Sequence, residues 1–393
     1  MSASFVYMNG WELGGTLADW QSATPPWIFS QIRGTVDPNS TTQSHQPAGK
    51  SAPFAGSRAM KFTVTNVTTY NGPIVNATLT LDCGDGANGN GGRVVFSHRH
   101  DAGVWVSQNY SATRKILFEI TDLGGGRDIV HLEWNTDNTL DLYLNNGWRE
   151  TTTAAIPDNT WVRIGVVWTV KDNGSHRQYG ARLYINGVAA TAWHSGTANH
   201  QGTSGSCSFQ FSGNHNIGSS YVDHLAVTKD DSINYLTGAT TSTGDYIDTE
   251  TWSLIIPVVR PDSDIAGFTS GGFSPSTGSD NFAVIDEVPI SGSDKTTSTT
   301  DPSNFGCGYG NLDGTLPSDS VVKGVCAWFQ SSGDGTMTTA TTQLSANGSS
   351  LTSATPHTLN ASPTIIGDVV EEQPGGDWTV ATVNSAGFKY TTT

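Results

Sequence analysis

The sequence predicts an all-β protein, and three observations carry that prediction. Forty-five glycines, abundant Ser, Thr and Asn and only 14% charged residues leave little helix-forming material among 393 residues. No amphipathic segment of 3.6-residue period extends beyond about two turns, whereas period-2 runs recur from end to end. A chain of this length can hold two or three domains, each with its own core.

The first domain is placed at residues 1–230 and opens with Phe5-Val-Tyr-Met-Asn-Gly-Trp11, followed by a Pro25-Pro26-Trp27 loop. Strands are expected near Arg93–His100, Ile116–Thr121, Asp128–Trp134, Leu140–Leu144, Trp161–Val170, Ala181–Val188 and Tyr221–Thr228. Their spacing suits two antiparallel sheets packed face to face. The clearest segment is Trp161–Val188, where Val162, Ile164, Val166 and Trp168 fall on one face and Leu183 and Ile185 continue the alternation. Asn186-Gly187 then supplies the positive φ angles of a tight turn.

Residues 229–250 are polar, turn-rich and acidic, so 231–250 are read as a linker. The second domain, 251–393, starts with alternating Trp252, Leu254, Ile256 and Val258, and Pro257 marks an edge strand. Strands around Phe282–Val288, Ser320–Phe329 and Trp378–Val383 would make a smaller sandwich. The Thr/Ser-rich stretches 291–303 and 331–362 are read as strands and loops, because Cys307, Trp328, Met337 and Leu344 flank or interrupt them.

The tryptophan-led strand followed by Leu183-Tyr-Ile-Asn-Gly-Val188 resembles the laminin-G-like branch of the concanavalin A-like jelly rolls. Gly218-Ser-Ser-Tyr-Val-Asp223 resembles that domain's last strand, which returns beside the first, and Gly56-Ser-Arg-Ala-Met60 resembles its early strand in phage-encoded members. In the second half NFAVIDE at 281–287, VVKGVCAWFQ at 321–330 and GDWTVATVNSAGFKY at 376–390 occur in the order found in a family of tailed-phage virion proteins. The resemblance implies a concanavalin A-like jelly-roll sandwich plus a smaller C-terminal β-sandwich. It also implies a non-enzymatic virion protein exposed on the capsid or tail, in contact with other virion proteins, homo-oligomeric and assembled in the host cytoplasm. A glycan-binding adhesin or receptor-binding protein is the alternative, and a glycan-degrading enzyme ranks third, because the fold serves lectins, glycosidases and spacers alike.

Composition narrows the partners. Residues 238–393 hold four basic side chains against seventeen acidic ones, a balance of −13 out of the total −16. Such a surface repels phosphate backbones, so no nucleic acid is expected. The N-terminus has no basic and apolar leader pattern and no stretch approaches the length of a membrane span, so neither secretion nor a membrane is expected. Cys83, Cys207, Cys307 and Cys326 match no metal spacing; buried free thiols are expected, with a Cys307–Cys326 bridge as the alternative.

Strand parity then draws one sheet face. With Ile116, Phe118, Ile120, Val130, Leu132, Trp134, Leu140, Leu142 and Leu144 turned inward, Glu119, His131, Glu133, Asp141 and Tyr143 turn outward. With Trp148 they form a candidate glycan-binding face, Tyr143 and Trp148 offering apolar surfaces to sugar rings. Glu119 and Glu133 permit an acid/base pair, but the tight E-x-D-x-x-E run carried on one strand by the fold's hydrolases is absent, so no catalytic residue is expected. His98 and His100 share a strand face without a third ligand at zinc spacing, and His194, His200 and His215 lie in loops. The Asp/Asn-rich loops at 82–90 and 280–287 follow no calcium-loop pattern, and Gly124–Gly126 opens no helix, so neither a metal nor a cofactor is expected.

Overall fold

The computed structural model describes residues 4–9, 20–21, 23, 27–30, 34–40, 59–64, 74–79, 90–102, 116–122, 127–145, 147–172, 176–198, 207–212, 218–230, 232–240, 261–265, 272–285, 293–300, 302–309, 321–346, 351–370 and 372–392. The expected edge strand Trp252–Val258, the Gly124–Gly126 turn, Cys83, His200, His215 and most of the 82–90 loop lie outside them.

Apart from the helical pair Trp20–Gln21, the described elements of the first half are strands: β1 (Ser4–Asn9), β2 (Trp27–Ser30), β3 (Gly34–Ser40), β4 (Ala59–Val64), β5 (Ile74–Leu79), β6 (Asn90–His100), β7 (Ile116–Asp122), β8 (Arg127–Trp134), β9 (Leu140–Leu144), β10 (Gly147–Thr151), β11 (Val162–Asp172), β12 (Arg177–Ile185), β13 (Val188–Ala189), β14 (His194–Ala198), β15 (Cys207–Ser212) and β16 (Gly218–Lys229). A nine-stranded sheet runs β13-β12-β11-β6-β16-β4-β3, with β1 on β16 and β14 on β12; a seven-stranded sheet runs β10-β9-β8-β7-β15-β5-β2. All pairings are antiparallel, and the fold is the jelly-roll sandwich read from the sequence.

Side-chain period explains the core. Val162, Ile164, Val166, Trp168 and Val170 of β11 are buried, as is Leu183 opposite Val166. From the other sheet Phe118 and Phe211 meet Phe96 at 5.2 and 5.0 Å between ring centroids, and Phe209 meets Trp168 at 6.3 Å. Burying side chains of this size contributes about 1.5–3 kcal/mol each. The β12–β13 hairpin turns on Asn186 (φ 50°) and Gly187 (φ 81°), as expected. One inward residue differs: a bulge between Ile116 and Phe118 sets Ile116 opposite Glu133 and buries Leu117 instead.

β16 explains how the termini of this unit close. Gly218–Val222 pairs with β4 and Leu225–Lys229 with β1, while β6 accompanies both halves on the other side. The change of partner falls at a bulge between Asp223 and Ala226, where His224 takes φ 46°. The bulge redirects the strand from one neighbour to the other.

Beyond β16 the chain does not leave the sheet at once. Arg93 Nη1 meets Asp230 Oδ2 at 2.7 Å with both side chains buried, and Asp230 also accepts from Ser232 and Thr240. Ile233 packs with Val167, Tyr184 and Trp193, and Trp193 Nε1 donates to the Tyr235 carbonyl at 2.9 Å. The Trp193 ring lies so close to Gly180 and Gly238 that a Cβ on either would sit 2.4 Å from it. Residues 232–240, expected within a linker, are thus a cover for the outer side of the nine-stranded sheet.

The chain forms two compact units: one comprises residues 1–11, 25–45 and 58–255, the other 12–24, 46–57 and 256–393. In the second unit a five-stranded sheet takes Pro261–Asp264, Asn304–Tyr309, Gly387–Thr392, Thr339–Ser345 and Thr355–Thr358 in that order, and Val325–Ser331 pairs with Thr364–Val370. Phe305, Leu344, Trp378, Phe388 and Tyr390 fill its core. Trp20 also belongs to this unit, its ring 5.6 Å from that of Trp328.

Two expected strands differ. Phe282–Val284 is a 3-10 turn, because both Asp264 carboxylate oxygens accept from the backbone N–H groups of Asn281 and Phe282. Val380–Asn384 is a short helix, capped by Thr379, whose side chain accepts from the Thr382 N–H while Thr382 bonds back. Strand pairing in the 320–329 region begins only at Val325. Cys307 and Cys326 are free, so the alternative bridge is not formed; Cys207 is disulfide-bonded to a partner outside the described residues, where a free thiol was expected. The chain spacing of the cysteines carries no sign of a pairing made by sheet topology. No helix among the described residues is long and apolar enough to cross a membrane.

Candidate functional site

Cross-strand register assembles the site. Gln210 of β15 lies opposite Glu119 of β7, Glu119 opposite His131 of β8, His131 opposite Tyr143 of β9, and Tyr143 opposite Trp148 of β10. Residues directly opposite in antiparallel strands hold their Cβ atoms about 4.5–5.5 Å apart, so these five form one continuous row across the sheet. A second row places Glu133 opposite Asp141 and Asp141 opposite Thr151. All six residues read from the sequence therefore share this face, turned away from the core.

The interior of the row is packed and its end is open. His131 is fully buried and Glu119 nearly so, whereas Trp148, on the edge strand, keeps 56% of its surface exposed. The His131 and Tyr143 rings stack at 4.5 Å and 15°. His131 Nδ1 lies 3.4 Å from Asp128 Oδ2 and Nε2 lies 3.3 Å from Glu133 Oε1. Thr121 Oγ1 donates to Glu119 Oε1 at 2.6 Å, and Gln210 Nε2 reaches Glu119 Oε2 at 3.4 Å. The Thr151 hydroxyl donates to Asp141.

These neighbours set the protonation states. Burial first, and then the Asp128 carboxylate, push the Glu119 carboxyl up to about 7, with Thr121 and His131 opposing. Burial works against a charged His131 ring, but Asp128 and Glu133 outweigh it and raise its pKa above the ordinary value. The face thus holds a carboxyl that titrates at about 7 and an imidazole whose charged form is favoured by two neighbouring carboxylates. Such an arrangement can receive hydroxyl and amine donors along the row and stack a sugar ring on Trp148.

Strand parity missed two contributors. Asp128 joins the face because a bulge between Ile120 and Thr121 sets Thr121 opposite Asp128. Gln210 was missed because Cys207–Ser212 was not read as a strand, although Cys207, Phe209 and Phe211 alternate inward. The other polar residues singled out lie elsewhere. His98 and His100 are buried in the sandwich against Trp134, at 5.2 and 4.6 Å, and His100 Nε2 meets Asp158 at 2.9 Å. His194 pairs with Glu150 at 2.7 Å.

No protein-family model matches the chain, and no curated protein matches it. Several solved structures are similar in fold. The carbohydrate esterase of the Shiga toxin-encoding bacteriophage phi24B is 12% identical over 56% of this chain and 99% of its own, with a TM-score of 0.31. The CBM2 module of the evolved Dit of Lactobacillus casei BL23 phage J-1 is 14% identical over 58% and 96%, with a TM-score of 0.31. Peanut lectin is 10% identical over 58% and 98%, with a TM-score of 0.30. Likeness at this level carries nothing about activity.

Proposed function

We propose that this chain is a non-enzymatic structural protein of a tailed-phage particle, displayed on the capsid or tail, whose jelly roll binds glycans. The observation that carries the glycan reading is the continuous row Gln210, Glu119, His131, Tyr143 and Trp148, polar through its middle and ending in an exposed indole. Hydrogen-bond acceptors in line with an aromatic platform suit a ligand that offers many hydroxyls and one apolar ring face. The virion reading is supported by the order of the short motifs at 281–287, 321–330 and 376–390. Individual sugar contacts are weak, so display in many copies would turn them into useful avidity.

Two measurements test the proposal. Antibody labelling of intact particles should find the protein on the virion, hundreds of copies meaning capsid and a few meaning tail. Incubation with host wall and capsule polysaccharides should give binding without new reducing ends. Reducing ends that disappear in Glu119→Gln and Glu133→Gln variants would overturn the non-enzymatic reading in favour of hydrolysis.

A further inference from the structure

At the end of β6 one imidazole ties the two sheets of the first unit together, whatever the chain binds. His100 is fully buried, its ring 4.6 Å from Trp134 of β8 across the sandwich and 5.8 Å from His98, stacked at 24°. Its Nε2 lies 2.9 Å from Asp158 Oδ1, which also accepts from Asn138 Nδ2 at 2.8 Å. Backbone bonds complete the clasp: the Asn159 N–H donates to the His100 carbonyl and the Ile156 N–H to the Asn138 carbonyl, both at 2.8 Å. Residues 156–159 thus hold the β8–β9 turn of the seven-stranded sheet to the end of β6 in the nine-stranded one.

The second observation is the other ring nitrogen. A carboxylate only accepts, so Nε2 carries the hydrogen, and Nδ1 keeps a lone pair that is buried and has no hydrogen-bond partner among the described residues. A proton arriving there makes a second N–H with no acceptor, a group that is costly to leave unpaired. Burial opposes the charged ring first and Arg99 adds to it; Asp158 and Asp101 favour it without prevailing, so the His100 pKa lies below its ordinary value. Asp158 is 44% exposed and Asp101 also meets Arg99 at 3.4 Å, which weakens both as compensating charges. The other elements around the ring bring no further negative charge: His98 lies alongside on β6, Ser220 stands opposite on β16, Glu133 of β8 is engaged with His131, and Asp137 of the turn is bound by Thr139.

We propose that His100 is an acid-operated latch. On taking a proton from solvent at Nδ1, the ring leaves the space between the sheets for water, Asp158 loses its donor, and residues 156–159 let go of the β8–β9 turn while the rest of the sandwich stays paired. The sign follows from burial. A histidine harder to protonate in the folded chain than in the unfolded one contributes stability that is complete above about pH 6.5 and is lost as pH falls through the folded value. Glu119 acts in the opposite sense, losing its contribution as pH rises through about 7, so direction separates the two groups.

The test is hydrogen exchange of the full-length protein at about pH 7.5 and about pH 5, each corrected for the intrinsic rate, with the amides of β11 as internal reference. Protection at Ile156 and Asn159, whose amides make the clasp, should fall at least about tenfold more in acid than protection in β11, and should return on neutralisation. His100→Gln, which keeps a side-chain donor but cannot take the proton, should abolish the difference between the two pH values. His98→Gln and His131→Gln should keep it. Loss of protection in β11 by the same factor would show general acid unfolding and overturn the latch, as would a response that survives in His100→Gln or disappears in His98→Gln. Should His100→Gln fail to fold, the imidazole nitrogen resonances of the native chain decide instead. A neutral ring with its hydrogen on Nε2, titrating below about 6.5 together with the loss of protection, supports the latch, and a ring that titrates at or above that value overturns it.

Discussion

The imidazole of His131 lies flat against the phenol ring of Tyr143, centroids 4.5 Å apart and planes 15° from parallel. The stack joins β8 to β9 on the polar side of the seven-stranded sheet, where the apolar core contributes nothing. Replacing Tyr143 with alanine should lower stability by about 1–3 kcal/mol in urea unfolding. Tyr143→Phe, which keeps the ring, should recover most of that loss. If both variants lose the same amount, the hydroxyl rather than the stack holds the ring.

Glu119 makes stability depend on pH in a defined direction. Its folded carboxyl titrates at about 7 against an ordinary 4.5, so the folded chain binds the proton more tightly than the unfolded one. The contribution is complete below about pH 4.5 and is lost as pH rises through about 7. Unfolding midpoints of Glu119→Gln, measured from pH 4.5 to 8, should fall less over that interval than those of the native chain. Parallel curves would show that Glu119 titrates normally.

Arg93 and Asp230 form a buried pair whose separation should be costly. Asp230→Ala removes the carboxylate that meets the buried Arg93 guanidinium and accepts from Ser232 and Thr240, and a loss of about 3–5 kcal/mol is expected. Hydrogen exchange at residues 232–240 should rise more than in β11 or β12. The paired change Arg93→Met with Asp230→Leu should restore a large part of the stability, since no charge then remains buried.

Gly180 and Gly238 hold the Trp193 indole between them. An alanine at Gly180 places its Cβ 2.4 Å from that ring and 2.8 Å from the Tyr235 carbonyl oxygen, so Gly180→Ala should cost about 1–3 kcal/mol. Gly238 (φ 72°) adds backbone strain to the same clash. In either variant Trp193 fluorescence should shift to the red as the ring is displaced toward water. An unshifted spectrum at unchanged stability would show that the indole has room to move.

Period and turn chemistry made the first unit legible. Alternation in Val162–Val170 and the Asn186-Gly187 turn are local properties, and the structure keeps both. The same alternation exposed five polar residues of the candidate face, because a strand's two sides differ by one residue. Asp128 was hidden by a bulge, whose position depends on the neighbouring strand and leaves no mark on either sequence. In the second unit the errors have long-range causes: Asp264 folds the chain at Asn281 and Phe282 from seventeen and eighteen residues away. Trp378–Val383 reads as strand by its β-branched residues, yet Thr379 and Thr382, three apart, cap a helical turn. Residues 232–240 read as a linker because they are polar and largely exposed; what holds them is one buried side chain, Ile233, and the bonds of Ser232 and Thr240 to Asp230, the partner of Arg93.

Residues 4–9 lie in one unit, Trp20 in the other, and residues 27–30 in the first again. The polypeptide thus crosses between its two halves several times before the long run into the second begins. A single cut near residue 255 cannot release either half whole: the C-terminal fragment would lack Trp20, and the N-terminal fragment would carry that indole without Trp328 to cover it. The two halves therefore cannot be separated by one cut, and a stop codon in the second half should bring down Trp20's surroundings as well.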